Sequence, residues 1–305
     1  MSHSAYKKSV DMPAASSNMR SSSTAHGLSI ALPREPLLKI RPNRSWAAID
    51  LREVWAHREI FFLLIWRDLK LRYRQTLLGA AWVILQPLLM TLVFTVFFGL
   101  IGHPPVKNVP YPLFVYAGLL PWTFFSTAVL GSSYSLISQA DMIRKTYFPR
   151  VLLPAAAVAV RLSDFIISLT ALIFLMIYYG VYPTASILWM ALVVLNLFLF
   201  TVGLGTWLAA LNIRYEDVGT VLPVLLQIWM FVSPIIYPSS LVPRRWTWLY
   251  YLNPLAGIIE GFRASLFNLE FNRASLLVSF LVTIFLLVLI SFSFRRMEDG
   301  FADII

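Results

Sequence analysis

Five stretches without Asp, Glu, Lys or Arg decide what this chain can become: Leu77–Gly102, Leu113–Ala140, Phe165–Ile213, Val218–Pro243 and Ala274–Phe294. A helix of roughly 20 apolar residues covers the hydrocarbon of a bilayer. Each stretch holds one such segment except Phe165–Ile213, which is long enough for two, divided at Gly180, Pro183 and Ser186. The expected fold is therefore an all-α integral membrane protein with six transmembrane helices over residues 77–294. With 58% hydrophobic and 13% charged residues among 305, the chain also lacks the polar surface of a water-soluble domain.

The cations assign the sides. An even number of spans puts both termini together. With the N-terminus inside, the inner segments 1–76, 141–161, 212–217 and 295–305 carry 20 Lys and Arg, and the outer segments 103–112, 181–186 and 238–273 carry 5. The positive-inside bias then places both termini, including the short C-terminal segment 295–305, in the cytoplasm. The net charge of +10 marks a cytoplasmic flank, and no nucleic-acid partner is expected. Residues 1–45 are rich in Ser, Pro and Ala without helical period and read as a disordered cytoplasmic tail. No apolar core precedes a small-residue cleavage site, so they do not read as a signal peptide.

Residues 46–76 read as an amphipathic interface helix. Leu51, Trp55, Phe62, Trp66, Leu69 and Tyr73 share one stripe at helical spacing, with Arg52, Arg67, Lys70 and Arg74 to one side. The longest apolar run, Ile60–Trp66, is too short to cross, which suits a helix lying in the inner interface. Leu63, Leu64 and Leu71 fall outside the stripe and keep open a packing helix of a small soluble subdomain. Pro87, Pro121, Pro223 and Pro234 lie inside spans and predict kinks. Between spans five and six, the 14 uncharged residues from Trp246 to Ile259 cannot cross. Trp248, Tyr250, Tyr251 and Asn253-Pro254 within them predict a re-entrant or interfacial helical pair on the outer face, with its aromatics at headgroup depth.

Several chemistries are excluded. The chain has no Cys, hence no disulfide, Cys-ligated zinc, iron–sulfur cluster or thiol catalysis. His3, His26, His57 and His103 are scattered and make no metal pattern. No Gly-Lys dipeptide occurs, so the chain cannot hold an ATPase phosphate-binding loop. Asp164 follows Arg161 by three residues and Glu260 precedes Arg263 by three, a spacing that predicts structural ion pairs on one helical face.

Several segments, taken in order, resemble a known family. They are Trp66-Arg67-Asp68-Leu69-Lys70-Leu71-Arg72-Tyr73-Arg74 leading through Leu78-Gly79 and Trp82 to Gln86-Pro87; Tyr111-Pro112-Leu113-Phe114 with Ala117-Gly118-Leu119 and Pro121-Trp122; Leu211-Asn212-Ile213-Arg214-Tyr215-Glu216-Asp217-Val218; Ser233-Pro234-Ile235-Ile236-Tyr237; and Leu252-Asn253-Pro254-Leu255. Over roughly residues 50–300 the chain is similar to the membrane subunit of bacterial polysaccharide ABC exporters, the type-2 permeases for O-antigen, capsule or teichoic acid. The resemblance implies a permease, not an enzyme, in the bacterial inner membrane. It implies a homodimer with two separate nucleotide-binding subunits, moving a lipid-linked polysaccharide to the outer face. ATP and Mg would belong to the partner ATPase, and this chain would carry no cofactor. A type-2 permease for a drug or lipid, or an integral-membrane glycosyl or acyl transferase, are the alternatives.

On that resemblance, the inner loop Ala140–Arg150 is the coupling element that docks on the ATPase. Asp141, Arg144, Lys145 and Arg150 supply its charges and Met142, Ile143, Tyr147 and Phe148 its apolar groups, with Arg214, Glu216 and Asp217 as a second contact. A passing glycan calls for aromatic platforms and uncharged hydrogen-bonding groups. Trp82, Gln86, Val93 and Phe97 share a face of span one, and Gln227, Phe231 and Pro234 share one of span five, with Trp229 and Tyr237 beside them. These faces either line the conduit or tie helices together, since a buried glutamine amide needs a partner. Arg52, Arg67, Lys70, Arg72 and Arg74 are candidates to recruit an anionic lipid headgroup, or to anchor on phospholipid generally.

Overall fold

The computed structural model describes residues 51–74, 79–99, 109–215 and 217–304, with side chains through Phe294. The expected tail over 1–45 lies outside the described residues. Among the described residues there are eleven α-helices and no strand: α1 Leu51–Ala56, α2 Arg58–Tyr73, α3 Ala80–Gly99, α4 Tyr111–Ser138, α5 Ala140–Lys145, α6 Leu152–Tyr178, α7 Leu188–Arg214, α8 Asp217–Val232, α9 Thr247–Leu252, α10 Pro254–Phe267 and α11 Arg273–Ile304. Five of them, α3, α4, α6, α7 and α11, are long and apolar enough to cross a membrane.

The expected fifth span is shorter than its uncharged stretch. Helix α8 has 16 residues and stops at Val232, although no charge occurs until past Pro243. Pro234 supplies the reason: it has no amide hydrogen and disfavours helix at the residue before it. Ser233 to Ile236 then run as a buried turn. Helix α6 departs the other way. It begins at Leu152, well before the uncharged stretch at Phe165, and carries Arg161 and Asp164 inside the helix. A charge-free window truncates such a helix when its charges neutralise each other.

The amphipathic segment is two helices, broken at His57, whose Nδ1 donates to the Glu53 carbonyl at 2.8 Å. Trp55, Phe62 and Trp66 of the stripe face outward. The residues that dock α2 come from off the stripe: Leu64 is buried, with Ile60, Phe61 and Ile65 against Phe148, Leu152, Leu153 and Ile213. Both faces of α2 are therefore apolar, one toward the bundle and one away from it.

Helix α4 is the axis of the bundle. It is 78% buried, against 11% for α3. Helices α3, α6, α7, α8 and α10 all pack on it. Polar ties between helices include Tyr116 donating to the Ser168 carbonyl at 3.1 Å, Asn212 to the Ser133 carbonyl at 3.0 Å, and Asn196 to Ser279 Oγ at 2.9 Å. Such bonds hold membrane helices together where lipid offers no hydrophobic incentive to associate.

Of the helical pair α9–α10, α10 is packed deeply into the bundle. The sequence left the pair re-entrant or interfacial; in the fold, every residue of α10 from Pro254 to Phe267 except Glu260 is buried. Asn253 caps it by accepting from the Leu255 amide at 3.1 Å, and Pro254 occupies its first turn, where a missing amide hydrogen costs nothing. Arg263, 3% exposed, anchors it. Its Nε donates to the Phe114 carbonyl at 3.1 Å, and its two terminal nitrogens donate to the carbonyls of Pro234 and Ile235 at 2.6 Å each. The guanidinium also lies 3.6 Å from the centre of the Phe114 ring. The expected Arg263–Glu260 pair does not form; Glu260 accepts from Tyr250 Oη at 3.1 Å.

Gly118 makes the room for this clamp. A Cβ there would collide with Arg263 Nη2 and lie 2.9 Å from the Ile235 carbonyl, whereas a Cβ at Gly131 would meet nothing nearer than 3.7 Å. Gly118→Ala is expected to destabilise by about 1–3 kcal/mol through overpacking. Gly131→Ala is expected to be neutral or to gain up to about 1 kcal/mol from helix propensity. Thermal unfolding of the purified chain in detergent, comparing the two variants, measures the contrast.

Candidate functional site

Two helices leave most of their apolar surface uncovered. On α3, Trp82, Gln86, Val93 and Phe97 are all exposed, together with Leu89, Met90, Val96 and Phe98. On α8, Gln227 and Phe231 are exposed with Val224 and Ile228. Both helices pack on α4. The structure thus keeps Trp82, Gln86 and Phe97 on one open face and Gln227 and Phe231 on another.

Three neighbours proposed for the same face are turned to other work. Trp229 is half-buried: its ring sits 5.3 Å from Phe125 and 6.4 Å from Phe200, and its Nε1 donates to Asn253 Oδ1 at 3.0 Å. Pro234 is buried, and its carbonyl serves Arg263. Tyr237 donates to the carbonyls of Phe231 and Val232 at 3.2 and 3.1 Å and so caps the end of α8. Periodicity could not separate Trp229 from Phe231, because its partners lie on other helices.

The inner loop forms α5 followed by an extended turn. Arg144, Lys145 and Asp141 are exposed, and Tyr147 is 85% exposed with its hydroxyl 3.3 Å from Glu53 Oε1. Phe148 departs from the expected outward apolar set, because it is buried in the inner core. Met142 and Ile143 are half-buried against the same core. A cavity of about 240 Å³ opens here, lined by Ile143, Arg144, Lys145, Thr146, Tyr147, Phe148 and Arg150. Of the second expected contact, Arg214 and Asp217 are exposed, Arg214 lying 5.6 Å from the Tyr215 ring centre, while Glu216 lies outside the described residues.

The inner cations divide into two groups. Arg52, Lys70 and Arg74 are exposed. Arg67 pairs with Asp68 at 2.8 Å and reaches Met142 Sδ at 3.8 Å. Arg72 turns into the α2–α6 seam and pairs with Asp164 at 2.6 Å. Asp164 also receives Tyr73 Oη at 2.7 Å and lies 3.6 Å from Arg161 Nη1. The Arg161–Asp164 pair was legible from its spacing; Arg72, 92 residues away from Asp164, was not. Burial raises the Tyr73 phenol above its ordinary pKa, and the Asp164 carboxylate adds to that, so the phenol remains the donor. Among the described residues no group of three or more His, Asp or Glu converges as metal ligands.

Asn253 is a hub that the sequence marked only as a turn. It accepts from Trp229 and from the Leu255 amide, and its Nδ2 donates to Ser233 Oγ at 3.0 Å. It therefore staples the broken end of α8 to the start of α10. Asn253→Ala removes the cap and strands the Trp229 indole, a loss of roughly 2 kcal/mol. Hydrogen exchange is expected to accelerate over 247–267 first, while α4 and α7 stay protected.

Comparison with known proteins comes last. The family model described as ABC-2 type transporter matches residues 59–267. A protein named O-antigen export system permease protein RfbA from Myxococcus xanthus is 31% identical over 256 residues, 83% of this chain and 98% of its own length. A protein of the same name from Klebsiella pneumoniae is 28% identical over 240 residues, 78% of this chain and 92% of its own. Polysialic acid transport protein KpsM from Escherichia coli is 29% identical over 212 residues, 65% of this chain and 77% of its own. The match runs from the first turn of α2 to the end of α10, across the open faces, the inner loop and the Arg263 clamp, and with a relative aligned over nearly its whole length it shows that this chain belongs to the ABC-2 type transporter family.

Proposed function

We propose that the chain is the permease subunit of an ATP-driven exporter that moves a lipid-linked polysaccharide, of O-antigen or capsule type, across the bacterial inner membrane. The observation that carries this reading is the 31% identity to an O-antigen export permease over 98% of that protein's length. The open faces of α3 and α8 support it. A subunit that functioned alone would bury its glutamines, because an uncharged amide facing lipid without a partner costs free energy. Two copies of the chain, related by a two-fold axis, enclose a path in which Trp82, Phe97 and Phe231 offer faces for sugar rings and Gln86 and Gln227 offer hydrogen bonds.

Energy comes from two nucleotide-binding subunits, which bind ATP and Mg. They dock on the inner loop through Arg144, Lys145, Tyr147 and the cavity beside them, with Arg214 and Asp217 at the margin. Helix α8 and the buried turn at Ser233–Ile236 together make the fifth of six crossings, and α9–α10 re-enter from the outer side. Both termini are then cytoplasmic, in keeping with the placement of the cations. Lys70, Arg74 and Arg52 face the inner leaflet, where they attract anionic headgroups.

Loss of the chain from its host is expected to leave completed glycan on the cytoplasmic side of the inner membrane. In a strain carrying Gln86→Ala with Phe231→Ala, surface glycan is expected to fall by roughly three- to tenfold, the worth of a lost stacking and hydrogen-bonding contact. The amount of chain in the membrane and its assembly with the ATPase are expected to be unchanged. Normal export in the double variant, or loss of assembled complex in place of export, contradicts a conduit role for these faces.

A further inference from the structure

The seam between α2 and α6 holds two guanidiniums on one carboxylate. Asp164 Oδ2 lies 2.6 Å from Arg72 Nη2 and 3.6 Å from Arg161 Nη1, while Oδ1 receives Tyr73 Oη at 2.7 Å. The side chains of Arg72, Arg161 and Asp164 keep 30%, 24% and 14% exposure, so the cluster is sheltered yet reachable. Its net charge is +1. Arg161 has five donors. Among the described residues its charged partner is Asp164 alone, at a distance longer than a hydrogen bond. A sheltered guanidinium with unused donors, beside a second one, forms an anion site whose present occupant is an internal carboxylate. The carboxylate here uses its two oxygens on Arg72 and Tyr73 and leaves Arg161 at ion-pair distance only. A phosphate brings more oxygens and more charge, and arginine forks match it bidentately.

The position is as informative as the charge. One turn further along α6, Ser168 Oγ donates to the Val83 carbonyl at 3.2 Å. Val83 adjoins Trp82 at the start of the open α3 face. The cluster therefore lies about 6 Å along the helix from the mouth of the path proposed above.

We propose that Arg72 and Arg161 form a binding site for the phosphate of a lipid headgroup, with Asp164 as the built-in anion that holds the two guanidiniums in place and yields them when phosphate arrives. The proposal rests on the reading of the chain as an exporter of lipid-linked cargo. It adds Arg161 and Asp164 as the specific site behind the general attraction of the inner cations. The shared chemistry is a phosphate ester at the inner interface; a cargo diphosphate and a membrane phospholipid are its two sources.

The test is lipid binding to the full chain in phosphatidylcholine nanodiscs. The probes are a fluorescent short-chain polyprenyl diphosphate, the corresponding polyprenyl alcohol, and phosphatidylglycerol as competitor. Wild-type chain is expected to prefer the diphosphate to the alcohol. Arg161→Gln leaves the Arg72–Asp164 and Tyr73–Asp164 contacts in place and is expected to weaken diphosphate binding roughly tenfold at an unchanged unfolding midpoint. Arg161→Lys, which keeps the charge without the fork, is expected to fall between, and serves if the glutamine variant unfolds. Asp164→Asn is expected to bind the diphosphate several-fold more tightly, because the internal competitor is gone; a simple structural tie would weaken there instead. Competition by phosphatidylglycerol at equal affinity supports the site with membrane lipid as its source, and poor competition supports it with the cargo as its source. A wild-type preference for diphosphate that neither Arg161 variant alters overturns the site while leaving the transport reading intact. Absence of any preference in the wild-type chain overturns both.

Discussion

A guanidinium buried in apolar protein must find its hydrogen bonds inside the fold, and Arg263 finds them in two carbonyls of the turn after α8 and one in the first turn of α4. Pro234 prevents α8 from continuing, so the carbonyls of Pro234 and Ile235 are released from helix pairing. Arg263 collects both, and with Nε it also holds Phe114 in the first turn of α4. One side chain thereby joins the end of α8, the start of α4 and the buried helix α10. The absence of a side chain at Gly118 and the ring of Phe114 are the two features that let it fit. Asn253 repeats the device at the other end of the same break, through Trp229, Ser233 and Leu255. Irregular buried backbone is tolerated where protein satisfies it, and here two polar side chains help to do so.

With that outer region secured, the bundle divides into a closed and an open part. Helices α4 and α10 are enclosed on nearly every side; α3 and α8 are not. The contrast bears on mechanism, because an ABC-2 transporter subunit has to offer one surface to its cargo path and another to its source of energy. On the function proposed above, the open faces of α3 and α8 serve the first. On the same proposal the exposed cations and Tyr147 of the loop serve the second, while Phe148 and Leu64 fasten that loop and α2 into one core. The loop, α2 and α6 thus share one packed cluster, and α2 and α6 also share Asp164.

Hydropathy made most of this legible. The five long helices follow from uncharged length, and the outer helical pair from Asn253-Pro254 between two apolar runs. The Arg161–Asp164 pair follows from a spacing of three. What stayed hidden depends on partners distant in sequence. The end of α8 was masked because Val218–Pro243 is uniformly apolar, and the carbonyls that Arg263 collects leave no trace in composition. The partners of α10 stayed hidden for a related reason: Glu260 and Arg263 suggest a pair with each other until carbonyls from α4 and the α8 turn are known to surround the arginine. Trp229 and Phe231 are alike in type and close in number; only Phe125, Phe200 and Asn253 distinguish the packed ring from the open one. Leu64, which fell outside the α2 stripe and kept a packing helix open, docks α2, while Trp55, Phe62 and Trp66 of the stripe stay exposed.

The central claim is that this chain forms half of an intramembrane path and draws its energy from a separate ATPase. The most direct measurement reconstitutes the full chain, with and without its nucleotide-binding partner, into proteoliposomes loaded with lipid-linked glycan, and follows the arrival of glycan on the opposite face by lectin capture. A path powered from outside predicts transfer only when the partner, ATP and Mg are all present, together with hydrolysis that rises when glycan is added. Transfer by the chain alone, or chemical conversion of the glycan without its movement, would contradict it.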